Sequence, residues 1–206
     1  MSSSARKHQA ITNAAAAAFL EKGYLGTSMD EIASLAGVSK QTVYKHFLDK
    51  DRLFAQIVLG ATDRVDTVVR LVASRLGESR DLQQDLTELG SRFLEALMEP
   101  SMLRLRRLII ANADRFPELG RAWYERGFER VLETLAGTFE HLADRGRLRR
   151  ADQRLAAHHF VALLLWIPLN RAMFTGERRP IGKSEIRAYA QSATRAFLAG
   201  YGPERR

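Results

Sequence analysis

Apolar side chains recur with the period of an α-helix along almost the whole chain, and no segment alternates apolar and polar residues as a half-buried strand does. Glycine, proline and short polar stretches separate these helical runs and are typical of helix ends. We therefore expect an all-α fold of about nine helices.

Three helices with clear end signals are predicted in the first fifty residues. The first spans about residues 5–22. Ser28 and Glu31 predict a capping box at the start of the second, in which the hydroxyl accepts from an amide and the carboxylate returns to the cap. Gly37 ends this helix after two turns, and Ser39 caps a short third helix. Two short helices joined by a glycine turn fit a helix-turn-helix.

Residues 1–50 are thus predicted to form a helix-turn-helix domain, and residues 51–206 a larger helical body. Pro117 fits the first turn of a long helix that ends before Gly146, and Pro168 should kink a later helix because proline lacks an amide hydrogen. The first helix of the body is expected to belong to both halves. The helices predicted after residue 50 span about residues 51–76, 82–98, 102–114, 117–145, 153–174 and 184–201.

Composition restricts the class of protein. The net charge of +8 favours anionic partners, and five of the six lysines lie in residues 1–50. The chain has no cysteine, which excludes disulfides and thiolate chemistry. Its most apolar run, residues 160–169, is about half of the ~20 residues that span a bilayer. Because the N-terminus also lacks an apolar signal region, we expect a cytoplasmic protein.

The third helix is predicted to present a polar face to its surroundings. At about 100° per residue, Val43 and Phe47 share the inward face, whereas Gln41 and Lys45 lie near the opposite pole. Glutamine can bond bidentately to adenine and lysine can donate to guanine, so this face suits a DNA major groove. The alternative is the solvated polar face of an ordinary helical corner.

Phosphate contacts are expected beside that face. Lys50 begins the fourth helix and is placed for one phosphate. Thr27 and the amides at the N-terminus of the second helix are placed for another, because helix N-termini attract anions.

Three stretches, residues 23–33, 36–47 and 50–54, resemble the N-terminal signature of the tetracycline-repressor (TetR/AcrR) family, and the likeness covers roughly residues 8–58. The resemblance implies a nine-helix homodimer, and it matches Lys50 to the family's phosphate-contacting lysine. Lys45 lies at a position that varies in the family, so no operator sequence carries over. Residues and resemblance together give these DNA-binding candidates: Thr27, Ser28, Ser39, Lys40, Gln41, Thr42, Tyr44, Lys45, His46 and Lys50.

The helical body holds many large apolar side chains, and its residues 100–206 resemble, more loosely, the ligand domain of an AcrR-like subgroup. Ligand cavities are mostly apolar with a few polar groups. We therefore expect an apolar or amphipathic effector, such as a fatty-acid-like molecule, although plain core packing is the alternative for each residue. The candidates are Phe93, Met102, Ile109, Asn112, Phe116, Trp123, Phe128, Phe160, Leu164 and Asn170.

A homodimer through the last two helices is expected, because one helix-turn-helix contacts only a few base pairs. Ala190, Ala193 and Ala196 would allow close helix approach, with Tyr189 and Phe197 as apolar anchors. The alternative is that this face belongs to the core of one chain.

The sequence therefore predicts a DNA-binding transcriptional regulator, a repressor that leaves a near-palindromic operator when its effector binds. An enzyme is disfavoured because the chain lacks a glycine-rich phosphate loop and a nucleophile elbow. A membrane-surface protein is disfavoured because the basic residues are scattered. Neither a cofactor nor a metal site is expected.

Overall fold

The computed structural model describes residues 2–76, 80–175 and 180–203, and every regular element in these ranges is helical. The all-α prediction is confirmed. The elements are α1 (Ser3–Lys22), α2 (Met29–Ala36), α3 (Lys40–His46), α4 (Lys50–Leu76), α5 (Leu82–Leu97), α6 (Pro100–Ala111), α7 (Pro117–Trp123), a π-helical segment (Tyr124–Glu129), α8 (Arg130–Asp144), α9 (Gln153–Phe174) and α10 (Lys183–Tyr201).

The long helix predicted from Pro117 is continuous but changes its winding. The π-helical segment joins α7 to α8 without a break, so the described residues hold nine continuous helices, as predicted. Gly127 lies within that segment, and a Cβ there would lie 3.3 Å from Cγ2 of Thr62 in α4. The glycine therefore permits a close approach of the two helices. Single π-helical turns are frequently found at functional sites.

Side-chain caps set the boundaries of α2 and α3. The Ser28 hydroxyl accepts from the amide of Glu31 at 3.2 Å, and Ser39 caps α3 in the same way. Between the two helices Gly37 has a φ of 65°, a left-handed conformation that glycine adopts without strain. The hydroxyl half of the predicted capping box is present, whereas the Glu31 carboxylate pairs with Lys22.

The chain divides into two compact units. The first comprises Met1–Ala61 with Arg104–Trp123, and the second comprises Thr62–Leu103 with Tyr124–Arg206. Helices α4 and α6 therefore each contribute residues to both units. A functional boundary after residue 50 stays a prediction.

The first unit has a core to which its four N-terminal helices contribute. Ile11 and Phe19 of α1, Ile32 of α2, Val43 of α3 and Phe54 of α4 are almost inaccessible. Each such side chain stabilises the fold by about 1.5–3 kcal/mol through burial. Helix α1 packs on α2, and α2 packs on α3. The helix-turn-helix formed by α2 and α3 therefore shares one core with α1 and with the start of α4.

The second unit is built on α5, α8, α9 and α10. Phe139, Phe160 and Phe197 contact one another, with ring centroids 5.9 Å, 5.1 Å and 5.0 Å apart. Ala190 and Ala193 are buried on the same side of α10 as Phe197. This face of α10 packs inside the unit, so the intramolecular alternative is correct for these three residues.

Candidate nucleic-acid interface

Helix α3 has one buried face and one exposed face. Val43 is inaccessible and Phe47 nearly so, whereas Gln41, Tyr44 and Lys45 are exposed. The predicted division of this helix into an inward apolar face and an outward polar face is present in the structure. Its exposed face offers an amide, a phenol and an ammonium, which are groups that form hydrogen bonds with base edges in a major groove.

Two polar contacts hold the start of α3. Lys40 Nζ lies 2.7 Å from Oδ1 of Asp30 in α2, and the Ser39 and Thr42 hydroxyl oxygens are 2.8 Å apart. Both members of the ion pair are exposed, and exposed pairs are weak. A DNA phosphate would therefore compete readily with Asp30 for Lys40.

His46 lies at the end of α3 and contacts α1. Its ring centroid is 5.8 Å from that of His8 and 6.4 Å from that of Phe47. His8 also lies 4.8 Å from the Phe47 ring, and its Nε2 is 3.1 Å from Nε2 of Gln56. His46 is partly buried in this group, unlike Gln41 on the exposed face of the same helix.

The partly buried Lys50 side chain forms hydrogen bonds within the first unit. Its Nζ donates to the carbonyl oxygens of Tyr24 at 3.0 Å and of Thr27 at 2.8 Å, and lies 4.3 Å from the centroid of the Tyr24 ring. Thr27 is buried, and its hydroxyl donates to the carbonyl of Gly23 at 2.9 Å. Both side chains thus stabilise the turn between α1 and α2. Their predicted phosphate contacts stay predictions.

A group of side chains that the sequence did not assign to DNA binding surrounds Tyr24. The Tyr24 ring lies 5.2 Å from Phe54 and 4.9 Å from Phe116, and the Arg115 guanidinium lies 5.2 Å from the Tyr24 centroid. The Tyr24 hydroxyl donates to the Asp51 carboxylate. Burial of the phenol, reinforced by that hydrogen bond, raises the pKa of Tyr24. We call these five residues the Tyr24 cluster.

Comparison with known proteins identifies the family. Residues 84–203 match the family model described as the AefR-like transcriptional repressor C-terminal domain, which is more than half of the chain. Residues 11–57 match the model of bacterial regulatory proteins of the tetR family. The chain belongs to the TetR family. TetR-family regulators are non-enzymatic DNA-binding transcription factors, so this protein is a transcriptional regulator and not an enzyme. Its match to a repressor C-terminal domain indicates a regulator of the repressor type.

Two solved structures and one curated relative are similar to this chain along most of its length. A TetR-family transcriptional regulator from Mesorhizobium loti is 50% identical over 98% of this chain and 100% of its own, with a TM-score of 0.91. The flavonoid-responsive regulator FrrA is 28% identical over 98% of this chain and 100% of its own, with a TM-score of 0.74. The HTH-type transcriptional regulator YhgD of Bacillus subtilis is 27% identical over 182 residues, 85% of this chain and 88% of YhgD.

The effector candidates of this TetR-family protein are divided between the two units. The first unit contains Ile109, Asn112, Phe116 and Trp123, and the second contains Phe93, Met102, Phe128, Phe160, Leu164 and Asn170. Most of them are buried: Phe93, Met102, Ile109, Trp123, Phe160 and Leu164. Plain packing accounts for Leu164, whose Cδ2 would lie 2.8 Å from a Cβ added at Gly90.

The two predicted polar groups of the effector site are bonded to their own helices. The Asn112 amide donates to the carbonyl of Leu108 at 2.8 Å, and the Asn170 amide donates to that of Trp166 at 2.6 Å. Two surface grooves of the second unit, of about 590 Å³ between α4 and α5 and about 520 Å³ between α4 and α8, are lined by other residues. Local hydrogen bonding therefore explains both asparagines without a ligand.

The part of the chain that the structure describes offers neither a membrane span nor a cluster of metal ligands. None of its helices is long and apolar enough to cross a membrane, and it contains no group of three His, Asp or Glu side chains placed to hold a metal ion. His159 instead lies with Nδ1 2.6 Å from the Tyr201 hydroxyl.

Proposed function

We propose that this TetR-family regulator is a homodimeric, cytoplasmic repressor that binds a near-palindromic operator and leaves it when an apolar or amphipathic small molecule binds the helical body. The observation that carries the proposal is the exposed face of α3, with Gln41, Tyr44 and Lys45 opposite the buried Val43. Two copies of this helix, about one turn of DNA apart (~34–36 Å), would contact successive major grooves.

An exposed apolar face of α9 supports the homodimer. Trp166 is 73% accessible and Phe174 is 83% accessible, although the opposite side of the same helix is core. Contiguous exposed apolar surface marks interaction sites, and helical spacing places these residues on one side. The proposed face consists of Leu155, Leu163, Trp166, Ile167 and Phe174. A second copy of the chain would cover it with the same residues.

Two similarities support a small-molecule effector. The C-terminal match is to an AefR-like repressor domain, and FrrA is described as responsive to flavonoids. The aromatic side chains of the body, Phe93 and Phe128 among them, suit an apolar or amphipathic molecule, whether fatty-acid-like or flavonoid-like. Such a molecule would weaken operator binding by the same free energy by which the operator weakens binding of the molecule.

Selection of duplexes from a random pool by the full-length protein tests operator binding. We expect enrichment of a near-palindrome with half-sites about one helical turn apart. Repeating the binding measurement with a panel of fatty acids and flavonoids should identify compounds that raise the Kd of the selected duplex. Enrichment of no sequence would contradict sequence-specific binding, and a bound compound that leaves the Kd unchanged would contradict release.

A further inference from the structure

The turn between α6 and α7 is fixed by its own backbone. The Phe116 amide donates to the carbonyl of Asn112 at 2.9 Å, and the Phe116 carbonyl accepts from Leu119 at 3.0 Å and Gly120 at 3.1 Å. Pro117 follows, with its φ restricted by the ring. The Phe116 side chain therefore extends from a backbone with little freedom.

This rigid turn packs on the turn between α1 and α2. The rings of Phe116 and Tyr24 meet edge to face, with centroids 4.9 Å apart and an interplanar angle of 74°. Phe116 also lies 6.0 Å from Phe54, and the Arg115 guanidinium lies 5.2 Å from the Tyr24 ring and 5.4 Å from the Phe116 ring. Edge-to-face aromatic pairs and cation–π contacts are both attractive at these distances.

Tyr24 connects this packing to the start of α2. Its carbonyl and that of Thr27 both accept from Lys50, and Ser28 then caps α2. A displaced Tyr24 ring would therefore move the residues that set where α2 begins. Because α2 packs on α3, the same displacement would change the orientation of the recognition helix.

We propose that Arg115 and Phe116 are positioning residues for operator binding. They act through Tyr24 and touch no DNA themselves. The proposal rests on the operator binding described above. Contacts to bases depend on orientation, whereas the number of phosphate contacts sets the salt dependence of affinity. Loss of the Phe116 ring should therefore weaken binding to the selected sequence more than binding to unrelated DNA, and leave the salt slope unchanged.

The test uses full-length variants and two probes, the duplex selected by the wild type and a scrambled duplex of equal length. The variants are Phe116→Ala, Phe116→Tyr and Arg115→Met. Tyr201→Ala removes a similarly half-buried ring from the second unit, and Arg121→Met removes an exposed arginine from the adjoining α7. These two are the matched controls. Each Kd is measured over a series of salt concentrations.

Phe116→Ala should raise the Kd for the selected duplex about threefold to tenfold, the worth of an aromatic pair, and change that for the scrambled duplex by less than about twofold. Arg115→Met should raise the first Kd about twofold to threefold at an unchanged salt slope. Phe116→Tyr keeps the ring and should match the wild type, as should both controls. Amide hydrogen exchange in residues 23–28 should accelerate in Phe116→Ala and not in Tyr201→Ala.

Several results would overturn the proposal. Phe116→Ala could bind the selected duplex as tightly as Tyr201→Ala does, or could weaken binding to both duplexes equally. A salt slope lower by about one in Arg115→Met would make Arg115 a phosphate contact instead. If Phe116→Ala does not fold, wild-type affinity in Arg115→Met would still reject the proposal. A wild type that does not distinguish the two duplexes would reject operator binding itself.

Discussion

The outward faces of α3 and α9 have opposite chemistry, although both helices bury their other side in a core. Helix α3 exposes Gln41 and Lys45, whereas α9 exposes Trp166 and Phe174. Donors and acceptors on a helix suit the edges of base pairs, and a large exposed apolar face marks a surface that another protein covers. The chemistry of an exposed face, rather than exposure itself, therefore indicates the kind of partner that it suits.

The largest expected effect follows from placing a charge on the α9 face. Trp166→Asp should convert the dimer into a monomer, because the proposed interface would bury an unpaired carboxylate, which is costly. Operator affinity should then fall at least about a hundredfold, since two linked half-site contacts become one. Light scattering and gel-shift titration measure the two effects. Gln83→Asp on the exposed side of α5 is the control, and a dimeric Trp166→Asp protein would show that α9 is not the interface.

The corresponding change on the α3 face should act on DNA binding alone. Lys45→Ala removes a donor for base edges and should raise the Kd of the selected duplex about tenfold to a hundredfold, with a smaller effect on scrambled DNA. The dimer should persist. Lys183→Ala removes a lysine from the start of α10 and controls for net charge. An equal loss of affinity for both duplexes would show that Lys45 contacts DNA without sequence preference.

The sequence predicted the α3 face well because the deciding pattern is local. The capping serines and Gly37 lie between residues 28 and 39, and together with the helical period they set which side chains point inward. The helical period of the sequence does not indicate which of two apolar faces of a helix remains exposed to solvent. Helix α9 is apolar on both sides. Packing against α5 and α9 buries the Ala190 face of α10, whereas Trp166 of α9 remains exposed.

Long-range contacts explain the other differences from the sequence predictions. The sequence assigned Phe116 to the large side chains of the helical body, but its ring contacts Tyr24, which is distant in sequence. Lys50 matches a phosphate-contacting position, yet it also bonds two carbonyls in the α1–α2 turn. Neither contact follows from a periodic pattern, because each joins residues whose spacing along the chain carries no signal.

Lysines of α3 and α4 should differ in what they stabilise. Lys50→Met removes two charged hydrogen bonds from the α1–α2 turn and should lower the free energy of unfolding by about 1–3 kcal/mol. Lys45→Met removes an exposed ammonium and should change it by less than about 0.5 kcal/mol. Urea denaturation of the DNA-free protein measures both. Equal stability of the two variants would mean that the bonds of Lys50 add nothing to the fold.

The smallest expected effect is the pH dependence that Tyr24 confers. Burial raises its pKa in the folded protein above the value of about 10 in an unfolded chain, so the folded state holds the phenol proton more tightly. The stability from this group is complete below pH about 10 and is lost as the pH rises toward the folded pKa.

Tyr24→Phe removes the titrating group. Near neutral pH it should cost about 1 kcal/mol, the worth of the hydrogen bond to Asp51. Above pH about 10 its free energy of unfolding should fall less steeply than that of the wild type. Urea denaturation between pH about 8 and 11 measures the difference, and Tyr44→Phe, which removes an exposed phenol from α3, is the matched control. Parallel pH profiles for wild type and Tyr24→Phe would show that the buried phenol is no more tightly protonated than a phenol in water, and that the Tyr24 cluster holds its ring by packing alone.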